Sequence, residues 1–170
     1  MRERYIEQLE QLQREVLELG MLCEKAIMKT CCLLKSSENR SQQVKAICIQ
    51  LLLRQQPIAS DLRRISAALK LVTDMERIGD QATDIAEILQ TGSVDVPVQG
   101  VRIAQMAEFT MQMVNKSVES YVNRDLVLAQ EVIESDDTLD QMFLEVRRTL
   151  NENIPQFTAD QILDLLMIAK

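Results

Sequence analysis

Apolar residues recur every three or four positions along most of the chain. From about Arg4 to Leu34 they are Ile6, Leu9, Leu12, Val16, Leu19, Leu22 or Cys23, Ala26 and Leu33, the period of one long amphipathic helix. Polar Ser36 to Ser41 predicts a break, and Val44, Ile47, Cys48, Leu51 and Leu52 predict a shorter second helix ending before Gln55, Gln56 and Pro57. Proline suits the first turn of a helix, so a third one is read from Pro57 to about Gln90, stopped by Thr91 and Gly92. At a rise of about 1.5 Å per residue it is about 50 Å long.

Ser93 to Gly100, with Pro97, is read as a linker, after which a second helical set begins near Val101 and runs to about Val122. Asp125 is a candidate N-cap for a helix to about Glu134, and a further helix covers roughly Asp137 to Asn153. After Pro155, Thr158 and Gln161 have the spacing of a capping box that opens a last apolar segment, Ile162 to Ala169. Under a shift of 91 residues, Leu22 to Ile27 falls on Met113 to Val118 with apolar, polar and lysine positions kept. A duplicated three-helix unit is the economical architecture. The fold is therefore read as all-α, two tandem three-helix bundles, with residues 1–92 as the first repeat, 93–100 as the linker and 101–170 as the second.

Composition narrows the chemistry. The chain has 170 residues, no histidine, and 19 basic against 26 acidic side chains, a net charge of −7. Without histidine there is no Ser-His or Cys-His catalysis and no imidazole-ligated metal. The four glycines are isolated, so neither a P-loop nor a dinucleotide-binding loop exists. An acidic chain with 3% aromatics and no basic run repels a phosphate backbone, which argues against nucleic-acid binding. Cys23, Cys31, Cys32 and Cys48 lack C-x-x-C spacing and read as reduced thiols of a cytoplasmic protein. No stretch approaches the roughly 18 apolar residues of a membrane span, so membrane contact would be indirect. The nine methionines read as core filler.

One pattern stands out on the third helix. Leu71, Met75, Ile78, Ala82, Ile85 and Leu89 form an apolar stripe, while Glu76, Asp80, Asp84 and Glu87 follow i, i+4, i+8, i+11 on the roughly opposite face. Upstream, that second face is apolar at Ile58, Leu62, Ile65 and Leu69. Like charges at helical neighbour spacing repel by a few tenths of a kcal/mol per pair, and no lysine at i+4 relieves them. A hard cation would do so, and a plain solvated acidic face is the other reading. Gly79, between the acids, suggests the close approach of another group. Asp136, Asp137 and Asp140 form a second acidic cluster, read as helix capping for Asp136 or Asp137, with Asp140 a candidate site member if it turns inward. Arg63 and Arg64 are read as a solvated face or a partner surface.

The run Leu52 to Arg63, then Ala68-Leu69-Lys70 and Asp74-Met75-Glu76-Arg77-Ile78-Gly79-Asp80-Gln81-Ala82, closely resembles the PhoU family in order and spacing. Asp125 to Ala129, with Val132, Asp136 and Asp140, resembles the opening of that family's second repeat. The resemblance implies a cytoplasmic protein of two three-helix bundles, a negative regulator of high-affinity phosphate uptake and of the phosphate-starvation response. Its implied partners are the transporter's ATPase subunit, the sensor histidine kinase and a second copy in a homodimer; no catalytic residue is implied. It also implies iron or zinc-type ions at Glu76 and Asp80, with Asp84 following; Asp140 joins such a metal site only if the bundle turns it inward. No second acidic motif lies in the 170 residues, so the second repeat is expected to lack its last helix end. The connection between Cys32 and Cys48 is also shorter than the family pattern. The alternatives are a metal-binding helical bundle or paralogue without a signalling role, a metal-dependent hydrolase, and a scaffold with solvated acids.

Overall fold

The computed structural model describes residues 2–28, 34–54, 59–91, 94 and 101–170. All regular elements among them are helical: α1 (Arg2–Met28), α2 (Leu34–Arg54), α3 (Ala59–Thr91), α4 (Ile103–Asn123), α5 (Leu126–Glu152), a single 3-10 turn at Ile154–Gln156, and α6 (Ala159–Ala169).

Two cores organise them. In the first, Leu12, Val16 and Leu19 of α1 meet Val44, Cys48 and Leu51 of α2 and Ile65, Ala68, Val72 and Met75 of α3. In the second, Ile103 and Met106 of α4 meet Val146 and Leu150 of α5 and Leu165 and Ala169 of α6. Helix α4 serves both, because Val114 and Val118 near its other end lie in the first core, with Tyr121 and Val122 packed against it. Cys23 and Val114, equivalent under the 91-residue shift, are both buried. The α1–α4 crossing is close at Gly20, where a Cβ would stand 2.7 Å from Val118 Cγ2. Gln13 Nε2 donates to the Val122 carbonyl at 3.1 Å and the Tyr121 hydroxyl to the Arg64 carbonyl at 3.3 Å, which tie the same junction.

Several boundaries differ from expectation. Ser36 to Ser41 do not break the chain but lie inside α2, and Ser41 is fully buried; polar residues cost a helix only tenths of a kcal/mol each, on the order that packing readily overrides. The predicted stop between Glu134 and Asp137 is also absent, since α5 runs unbroken. No glycine or proline intervenes there, and the Ser135 hydroxyl donates to the Glu131 carbonyl without leaving the helix. Asp136 and Asp137 therefore cap nothing. The predicted helix between Met28 and Leu34, with Cys31 and Cys32, the start at Pro57, and the linker apart from Val94 lie outside the described residues. Val94 itself is buried in the second core.

The two caps read further on are present. Asp125 accepts from the Val127 and Leu128 N–H groups at 2.9 and 3.0 Å. Thr158 and Gln161 exchange both bonds of the capping box. Between α4 and α5, Arg124 takes the left-handed conformation (φ 58°), and the next N–H, from Asp125, closes onto the Ser120 carbonyl at 2.9 Å. No helix of the described residues is long and apolar enough to cross a membrane.

Candidate functional site

The buried line of α3 is Ile65, Ala68, Val72, Met75, Gly79, Ala82 and Ala86, alternating three and four residues apart. Leu71, Ile78 and Ile85 flank it and Leu89 is exposed. The predicted stripe is thus rotated: the large residues shoulder the contact while alanine and glycine occupy it, which lets helices approach closely. Upstream on the second face, Ile65 is in the core and Leu62 is exposed.

This rotation sets the depth of the acids. Asp80, Asp84 and Glu87 are exposed, but Glu76, next to buried Met75, is half-buried at the edge of the α2–α3 seam. Lys45, next to buried Val44 on α2, reaches it from across the seam, with Nζ 2.8 Å from Oε1 and 2.7 Å from Oε2. The missing i+4 lysine is supplied by another helix, a pairing that periodicity along one helix does not reveal. A similar clasp joins α1 to α2, where Arg40 bonds Glu15 and Glu18 at 2.7 Å each.

As the side chains stand, the donors do not fit an enclosed iron or zinc-type ion. Among the described residues no three His, Cys, Asp or Glu side chains converge to hold one, and both Glu76 oxygens are engaged. Asp140 is exposed on α5, in the other bundle. Cys23 and Cys48 are free and buried, their thiols near the Met75 and Ile65 carbonyls; burial pushes both from the ordinary 9.0 up to about 11. Such thiols are inert near neutrality. Tyr121 is likewise pushed up to about 12 by burial.

Arg63 is exposed, whereas Arg64 is half-buried and lends its carbonyl to Tyr121. A groove of about 510 Å³ between α5 and α6, lined by Leu144, Arg147, Arg148, Ile154, Ile162 and Leu166 among others, contains none of the predicted site residues. Leu144 and Ile154 read as ordinary helix-face residues in sequence, so nothing there signalled it.

Comparison with known proteins places this architecture. Residues 2–89 and 103–170 match the family described as PhoU domain. The Aquifex aeolicus protein named phosphate-specific transport system accessory protein PhoU homolog is 34% identical over 84% of this chain and 72% of its own length. A Clostridium acetobutylicum protein of the same name is 32% identical over 90% of this chain and 76% of its own. The crystal structure of the phosphate transport system regulatory protein PhoU from Streptococcus pneumoniae superposes with a TM-score of 0.80 at 19% identity, covering 97% of this chain and 86% of that one. PhoU from Pseudomonas aeruginosa gives 0.71 at 23% identity, over 98% and 86%. Matched in both of its halves, with relatives above 30% identity along most of its length, the chain belongs to the PhoU family.

Proposed function

We propose that this chain is a non-enzymatic accessory regulator of phosphate transport, holding down high-affinity uptake and the phosphate-starvation response when phosphate is plentiful. The observation that carries the reading is the family match across both repeats, together with relatives named as accessory proteins of the phosphate-specific transport system. Regulation of this kind works by protein contact. It needs no catalytic residue and no resident metal, in keeping with a chain that has no histidine. The proposed contacts are the transporter's ATPase subunit and the sensor histidine kinase at the cytoplasmic face of the membrane, with a second copy as homodimer partner. Exposed Arg63 and Leu62 in the first turns of α3, with exposed Ile49 and Leu53 in the last turns of α2, support these helix ends as contact surfaces.

Alkaline phosphatase activity in cells grown in ample phosphate tests the reading. High activity in a strain lacking the gene, returned to low by the gene in trans, is the expected result. Unchanged low activity in the deletion overturns it and leaves a family member without a signalling role. Arg63→Glu is expected to weaken pull-down of the ATPase subunit or the kinase while helicity by circular dichroism stays the same.

A further inference from the structure

The Lys45–Glu76 pair lies where the family resemblance puts a metal ion, and its geometry leaves that ion no room. Val44 and Met75, both buried, fix the backbone on either side of the seam, so Lys45 and Glu76 face each other across its edge by construction. The ammonium stands 2.8 and 2.7 Å from the two carboxylate oxygens, a positive charge in front of both where a zinc or iron ion would bind at about 2.0–2.2 Å. Asp80, one turn on, is exposed and makes no ion pair among the described residues.

We infer that Lys45 takes the place at Glu76 that the resemblance gives to a metal, so that the α2–α3 seam of this chain is closed by the protein's own ammonium group. The seam is then indifferent to chelators and to metal supply. Its acid line is relieved of one charge by a partner tethered to the chain. The inference rests on family membership and on the pair's geometry, not on the phosphate reading, and it is tested on purified protein.

The full chain is passed through a desalting column after incubation with Mn²⁺ or Zn²⁺, its metal content is measured, and its melting temperature is recorded with and without EDTA. Wild type is expected to retain no stoichiometric metal and to melt at the same temperature in both conditions. Lys45→Met frees a carboxylate with Asp80 at i+4, and is expected to bind Mn²⁺ about tenfold or more tightly than wild type, hard cations favouring such oxygens. The gain disappears in Lys45→Met combined with Glu76→Gln. Wild type holding an equivalent of metal that Glu76→Gln removes overturns the inference, and so does a Lys45→Met protein with no gain. Lys45→Gln gives the same readout should the methionine variant fold poorly, and the comparison of wild type with Glu76→Gln needs no change at Lys45.

Discussion

In the first bundle Val16, Leu19, Val44, Leu51, Ile65, Ala68 and Val72 have no exposed surface at all, because α1, α2 and α3 enclose them and α4 closes one end with Val114 and Val118. In the second, burial gathers at one end of α5. Val146, Leu150 and Leu165 are sealed, but between Leu126 and Glu145 no residue of α5 is buried; Leu126 is 85% exposed, Val127 72% and Ile133 66%. The two bundles share a sequence period and differ in what lies against it. Apolar spacing marks the face a helix can bury, and only a facing helix turns that face into a core.

The comparison breaks hardest at the first core. Leu19→Ala is expected to cost about 3 to 5 kcal/mol in urea denaturation, as for a cavity in rigid surroundings, and Leu165→Ala about 2 to 3 because fewer sealed side chains surround it. Equal losses would show that the second core is as rigid as the first.

Alkali separates the bundles next. Cys23 and Cys48, both in the first core, keep their protons to about pH 11 when folded, whereas the unfolded thiols lose theirs near 9.0. Below pH 9.0 they leave stability unchanged; from there toward about 11 the unfolded chain ionises first and stability falls. Urea midpoints measured at several pH values across that window check this, with thiol-reagent uptake following the same loss.

Smaller effects sharpen the joints. Gly20→Ala gains about 1 kcal/mol of helix propensity but drives its Cβ into the stiff Val118 side chain, for a net loss of about 1 kcal/mol. Val118→Ala in the same chain should recover part of it, giving a coupling of about 1 kcal/mol in a double-mutant cycle. Asp125→Ala, which removes a cap, should cost about 1 kcal/mol. Arg124→Gly, at a left-handed position, should gain about 0.5 kcal/mol. Leu126→Ser, on the uncovered half of α5, should change stability by under about 0.5 kcal/mol.

Local chemistry was legible wherever a signal is complete within one turn. Asp125 and the Thr158–Gln161 box could be read because a side-chain oxygen and the N–H groups it serves lie two or three residues apart. The all-α class followed from period and from scarce glycine and proline. Ser36 to Ser41 and Asp136 misled because polarity was taken for a break, when a solvent-facing or tertiary-packed helix tolerates it. The apolar stripe of α3 lies one step round from its buried line because large residues outweigh Gly79 and Ala86 in a reading by hydrophobicity. Glu76 was singled out as the acid of interest, but the reach of Lys45 from α2 depends on how two helices pack, which no single helix encodes.

Helix α4 has a consequence for cooperativity. Its 21 residues make a rod about 30 Å long, seated at one end among Val146, Leu150 and Leu165 and at the other between α1 and α3. A rod seated in both cores ties their stabilities together, so loosening the Gly20–Val118 crossing is expected to weaken the second core along with the first.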